Sequence, residues 1–308
     1  MQMRYLVTGG AGFIGGHLVE SLLADGCAVQ VLDDLSSGSL GNLPSHPKLH
    51  FRQGSILDQG AIEEAAVGVD GIFHLAAIAS VVESVAYPVR THRVNTEGTI
   101  QILEAAAREG ARVVFSSSSA VYGEGPDPIK DEASILQPLS PYAIQKSVSE
   151  EYVRLYAGVR GVGGVCLRYF NVFGPRQNPE SEYAAVVPKF VRTALDGGDL
   201  TIFGDGEQTR DFVHVSDVVR ANRTAMESAV ADGRPLNVAS GTAISVNDLG
   251  HAVFAALGEP SRINHAPARA GEVKHSRAGI AAIEEALGFK PQTDLRRDLA
   301  ALAATMRG

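Results

Sequence analysis

A chain of 308 residues is longer than one ordinary domain, so the expectation is one large α/β unit or such a unit with an appended lobe. Its hydrophobic fraction of 45% and charged fraction of 20% suit a packed globular protein. The net charge of −8 argues against a broad nucleic-acid surface, which needs clustered Lys and Arg, yet leaves room for a pocket in which a few arginines hold an anion. Cys27 and Cys166 lie far apart without metal-ligand spacing and read as small hydrophobes of a reducing compartment. No signal-peptide pattern is visible, and no apolar run reaches the roughly 18 residues that cross a bilayer. The expectation is a cytoplasmic protein without nucleic-acid or membrane partners.

In chain order, residues 4–8 read as a strand, 12–25 as a helix and 28–33 as a second strand. Further strands are expected at 49–53, 71–76, 112–117 and 164–169, several of them continuous apolar runs of the kind that buried parallel strands show. Helical spacing of apolar residues marks 94–108 and 141–157, with Gly158 placed to end the second. This alternation predicts a doubly wound parallel sheet, with ligands bound at the strand C-termini. After about Asn171 the rhythm breaks. A helix around 187–195, short strands at 200–203 and 236–238, and helices at 246–257 and 280–287 suggest a smaller, discontinuous α/β lobe. The expected division assigns 1–170, plus about 205–240, to a Rossmann domain and 171–204 with 241–308 to a substrate-binding lobe.

Two clusters carry chemistry. Thr8-Gly9-Gly10-Ala11-Gly12-Phe13-Ile14-Gly15 joins the first strand to the first helix, and Gly9, Gly12 and Gly15 let a pyrophosphate approach the helix N-terminus. Asp33 ends the next strand, where a carboxylate suits the free ribose hydroxyls of NAD and repels the 2′-phosphate of NADP. A lone glycine motif is only a flexible turn; its place between strand and helix makes it a dinucleotide site. In the second cluster, Ser140-Pro141 starts a helix that sets Tyr142 and Lys146 on one face, four residues apart. An ammonium, the helix N-terminus and a cationic nicotinamide would lower the phenol's pKa and make it a general base. Alone, such a pair is commonplace. The run Ser116-Ser117-Ser118-Ser119 closing the preceding strand supplies hydroxyls for a substrate oxygen, although some of these serines only satisfy loop backbone.

Together with Asp33-Asp34-Leu35, His74-Leu75-Ala76-Ala77 and Val94-Asn95-Thr96-Glu97-Gly98-Thr99, these segments resemble the extended short-chain dehydrogenase/reductase family over essentially the whole chain. The resemblance implies a catalytic triad of Ser118, Tyr142 and Lys146. It implies cofactor contacts from Phe13, Ile14, Ser37, Gly38, Leu75, Ala76, Ala77, Asn95, Ser116 and Tyr169. Ser55 stands where the family often has an acid near adenine, so that contact passes to backbone and Ile56. The dehydratases of the family carry an acidic pair in the serine run, and the decarboxylases a glutamate where Ala120 stands; this chain has neither.

The second half is similar to the substrate lobe of UDP-hexose 4-epimerases. By that resemblance Asn171 meets a diphosphate, Arg210 and Arg269 clamp it, and Glu272 binds the uridine ribose. Ser119, Gln177, Ala185, Val186, Phe203 and Ser276 complete the substrate site, with Ser276 leaving room for a 2-acetamido group. The expected activity is 4-epimerisation, on UDP-GlcNAc and UDP-GalNAc ahead of UDP-Glc and UDP-Gal, by a homodimer with resident NAD. The alternatives are a nucleotide-sugar reductase, a glucuronate 4-epimerase or a non-catalytic NAD-binding regulator.

Overall fold

A computed structural model describes residues 2–125, 127–178, 186–268 and 274–307. Seven parallel strands make the large sheet, in the order β10-β6-β5-β4-β1-β2-β3. They are β1 (Arg4–Thr8), β2 (Ala28–Asp33), β3 (Leu49–Gln53), β4 (Gly71–His74), β5 (Arg112–Ser118), β6 (Gly164–Tyr169) and β10 (Asp232–Val238). Helices α1 (Phe13–Ala24), α2 (Gln59–Ala66), α3 (Val81–Ala86), α4 (Pro88–His92), α5 (Gly98–Glu109) and α6 (Pro141–Arg160) fall between the first six strands. Every residue of β4 and β6 is buried, which explains their largely apolar character, with His74 and Arg168 the buried polar exceptions. One core packs Val7, Leu18, Val31 and Phe73 on one face of the sheet; another packs Leu6, Ile62, Ile102 and Phe115 on the other. The strand order reverses between β1 and β4, so a crevice opens at their C-terminal ends.

The remaining elements are β7 (Asn171–Phe173), α7 (Val186–Leu195), β8 (Leu200–Phe203), β9 (Thr209–His214), α8 (Val215–Glu227), β11 (Ala243–Ser245), α9 (Val246–Leu257), β12 (Ile263–Ala266), β13 (His275–Ser276), α10 (Ala281–Leu287) and α11 (Leu295–Arg307). Strands β7, β11 and β13 all pair with β9, while β12 pairs with β8. Phe173, Phe190, Phe212, Phe254 and Leu299 fill a separate core here. Ile283 and Phe289, around α10, pack instead with the large sheet's core.

Several boundaries differ from the sequence reading. α6 runs through Gly158 and stops at Gly161, whose φ of 68° provides the left-handed cap and whose N–H reaches the Tyr156 carbonyl. A π-turn, Arg93–Glu97, precedes α5, so the helix expected from residue 94 begins in wider winding. The strand expected at 236–238 is longer and closes the edge of the large sheet beside β6. Helix α8 was not expected, yet its buried Val215, Val218, Asn222 and Ala225 recur at helical spacing and could have shown it.

Candidate active site

At the C-terminal edge of the large sheet lies a cavity of about 1120 Å³. Gly9, Gly12, Phe13, Ile14, Gly15, Asp33 and Ser37 line one end of the nucleotide segment, and Ile56, Leu75, Ala76 and Ala77 continue it. The turn needs its glycines. Gly9 has φ 69°, and a Cβ there would stand 2.7 Å from the Ala76 nitrogen. A Cβ on Gly15 would fall 2.1 Å from the Gly9 carbonyl oxygen, so the first turn of α1 can lie this close only without a side chain. Asp33 accepts the backbone N–H of Ala11 at 2.9 Å and of Leu35 at 2.8 Å, which fixes the carboxylate at the cavity wall. Burial pushes its pKa up, opposed by those two amides.

Ser116, Ser118, Tyr142, Lys146 and Tyr169 line the same cavity. Ser140 caps α6 through the Ala143 N–H at 3.2 Å, with Pro141 in the first turn. Buried Ser84, on α3, accepts the Tyr142 N–H at 3.1 Å and so ties α3 to the start of α6. The Ser118 hydroxyl, which accepts the Ala120 N–H at 3.2 Å, favours the ionised form of the Tyr142 phenol. Lys146 Nζ donates to the Ser116 carbonyl at 2.8 Å and lies 5.9 Å from the Tyr142 ring centroid. Burial lowers the Lys146 pKa to about 8, with Glu150 pulling it back up. Tyr142 departs from expectation in one respect. Its pKa is raised, because desolvation outweighs the effect of the Ser118 hydroxyl. In the protein alone the phenol is therefore an acid in waiting, and its ionisation depends on positive charge brought into the cavity.

Other expected residues sit elsewhere. Asn95 does not line the cavity; in the π-turn it accepts the Ile78 N–H and donates to the Ile78 carbonyl and the Gln145 Oε1, joining the loop after β4 to α6. Ser55 does not line it either, its hydroxyl accepting the Leu57 N–H at 3.1 Å. Gly38 packs its backbone on Ala11, where a Cβ would come within 2.9 Å. Gln177 reaches the cavity; its Nε2 donates to the Val172 carbonyl, while its buried Oε1 has no partner among the described residues.

Ser119, half-buried, starts the 3₁₀ turn after β5. Asn171 Nδ2 donates to the Asp211 carbonyl at 3.0 Å, and Val186 packs against the smaller core. Phe203 ends β8, and its carbonyl accepts Gln208 Nε2. Arg210 and Ser276 are direct neighbours in the parallel β13–β9 pairing, and Arg210 donates to the Thr209 carbonyl at 2.9 Å. Ala185, Arg269 and Glu272 lie outside the described residues. Tyr87, Val89, Arg90 and Arg93 also line the cavity from α4 and the π-turn; nothing in the sequence pattern singled them out.

The sequence profile of the NAD-dependent epimerase/dehydratase family matches residues 5–239. The chain is 41% identical over 306 residues to a UDP-glucose 4-epimerase of Mycolicibacterium smegmatis, covering 97% of this chain and 96% of the relative. It is 34% identical over 317 residues to a UDP-N-acetyl-alpha-D-glucosaminuronate decarboxylase of Bacillus cytotoxicus, with 97% and 96% covered. A solved structure of UDP-N-acetylglucosamine 4-epimerase from Methanobrevibacter ruminantium, in complex with UDP-N-acetylmuramic acid, superposes with a TM-score of 0.95 at 39% identity, covering 100% of this chain and 99% of that one. The chain belongs to the NAD-dependent epimerase/dehydratase family. The residues present fit that cofactor, since the glycine-rich turn, the Asp33 carboxylate and the long cavity provide for pyrophosphate, ribose and ring.

Proposed function

We propose that the chain is a UDP-hexose 4-epimerase working through a 4-keto sugar, on UDP-GlcNAc and UDP-GalNAc ahead of UDP-Glc and UDP-Gal. The observation that carries this reading is the convergence of Tyr142, Ser118 and Lys146 in one cavity with the glycine-rich turn. Bound NAD supplies a hydride acceptor, then a hydride donor, next to that group. Tyr142 takes the proton of the 4-hydroxyl and later returns it. Ser118 holds the sugar oxygen between those events, and Lys146 holds the nicotinamide ribose while its charge favours the phenolate.

Two further observations support this reaction and this sugar. Ser118, Ser119 and Ala120 stand where family members that eliminate or decarboxylate carry acids, so neither reaction finds its acidic residue at these positions. The strand pairing that sets Arg210 beside Ser276 supports one ligand meeting both, phosphate at the arginine and hexose near the serine. Arg269 and Glu272 are proposed as the second clamp and the ribose acceptor, with 1–170 and about 205–240 holding NAD and 171–204 with 241–308 holding the UDP-sugar. Incubating the protein with each UDP-sugar and identifying products by NMR tests the reading. Inversion at C4 is expected; no turnover of any UDP-sugar, or a UDP-GlcNAc rate far below that with UDP-Glc, contradicts the corresponding part.

The reading includes a cytoplasmic homodimer. Ile144, Val148, Leu155 and Val159 form an apolar stripe along α6, and they are 50%, 37%, 49% and 66% exposed. Helices α5 and α6 are the proposed contact. Sedimentation of the protein as a monomer at micromolar concentration would contradict it.

A further inference from the structure

Behind the cavity, α6 carries a second charged group that the reaction above does not use. Glu150 follows Lys146 by four residues, one turn further along the same buried face. It is 5% exposed, and Arg168 on β6 is 3% exposed. Arg168 approaches the carboxylate with both arms of its fork, Nε to one oxygen at 2.9 Å and Nη2 to the other at 2.7 Å. Its remaining nitrogen, Nη1, donates to the Tyr122 hydroxyl at 2.9 Å, and that hydroxyl donates to Asn237 Oδ1 at 2.6 Å. Ser117 donates its hydroxyl to Glu150 as well. Ser117 stands between Ser116, whose carbonyl receives Lys146 Nζ, and Ser118, which lines the cavity with Tyr142.

A buried ion pair is costly to desolvate and contributes little net stability, so its presence at this place calls for another reason. We propose that Glu150 is a positioning residue of the active site, which through Ser117 and Arg168 holds the end of β5 in register with α6 and supplies the negative charge that keeps Lys146 an ammonium. The groups facing Lys146 support this. Cys166 on β6 is pushed well up by burial and stays a neutral thiol. His74 on β4 is held neutral by burial, its pKa lowered to about 3. Tyr142, on Lys146's own helix, is raised and protonated. Glu150 opposes most strongly the desolvation that drives Lys146 down, ahead of Cys166, and Arg168 pairs with Glu150 at 2.7 Å.

The inference rests on the Tyr142–Lys146 reading of the site, so its test reads the lysine directly. The chain has six lysines, few enough to follow Lys146 by NMR of isotope-labelled lysine in the NAD-loaded protein. Glu150→Gln is expected to lower the Lys146 titration midpoint by about one pH unit. Glu150→Asp is expected to return it most of the way. Because Glu150→Gln strands a buried arginine and can unfold the chain, the double variant Glu150→Met/Arg168→Met replaces the pair by apolar side chains and should show the same downward movement. A folded Glu150→Gln or double variant with the wild-type midpoint would overturn the proposal, as would a Glu150→Asp midpoint as low as that of Glu150→Gln. Wild-type protein inactive on every UDP-sugar would defeat the functional reading, while the lysine titration would still decide the role of Glu150.

Discussion

The large sheet and the smaller lobe build their parts of the site in opposite ways. Around the sheet, Tyr142 and Lys146 ride one long helix, Ser116 and Ser118 one strand, and Gly9–Gly15 one strand–helix turn. Each cluster is local in sequence and set by a single element. In the lobe, Arg210 and Ser276 come from strands of six and two residues and meet only through a pairing between distant segments. The difference teaches that the reacting groups are organised by the fold itself, whereas the groups proposed to hold the nucleotide diphosphate depend on how short segments come together. Chemistry and substrate hold should therefore fail separately.

Tyr142→Phe should give the largest effect, a fall of roughly 10²–10⁴-fold in kcat with NAD binding intact, read by steady-state kinetics and cofactor titration. An active Tyr142→Phe enzyme breaks the comparison on the sheet side. Gly15→Ala drives a Cβ toward the Gly9 carbonyl and costs about 1–3 kcal/mol, seen as a roughly 5- to 150-fold weakening of NAD in a binding titration. Arg210→Gln should raise KM for the UDP-sugar by about 10–100-fold and leave NAD affinity unchanged. Loss of NAD affinity there would show that the two regions do not separate. The smallest effect concerns pH. Burial holds the Lys146 pKa to about 8, so its positive charge is complete below that value and lost as pH rises through it. The expected kcat/KM profile declines on the alkaline side from about pH 8, and a Lys146→Met enzyme should lack that limb.

What the sequence made legible follows from the same contrast. The apolar stretches 5–7 of β1 and 164–167 of β6 announce themselves because burial on both faces favours such runs. Tyr142 and Lys146 could be placed on one face before any coordinates, because Ser140-Pro141 fixes where the helix starts. Gly158 misled, since a glycine inside a packed helix and one in a left-handed cap look alike until φ is known; Gly161 takes the cap. The resemblance implies Asn95 as a cofactor contact, whereas its side chain ties the loop after β4 to α6. The sign of the Tyr142 shift was also hidden, because the desolvation that raises it depends on burial that no local pattern reports. Tyr87 and Arg93 enter the cavity wall only through the packing of α4 and the π-turn.

The central claim is that one aromatic hydroxyl takes the proton of the sugar's 4-hydroxyl, while the hydride that leaves C4 for a resident dinucleotide is the one that returns. UDP-GlcNAc carrying deuterium at C4 tests it most directly. The account predicts that the label stays at C4 in both epimers after many turnovers in ordinary water, with no net consumption of added NAD. Washout of the deuterium into solvent during epimerisation would contradict it.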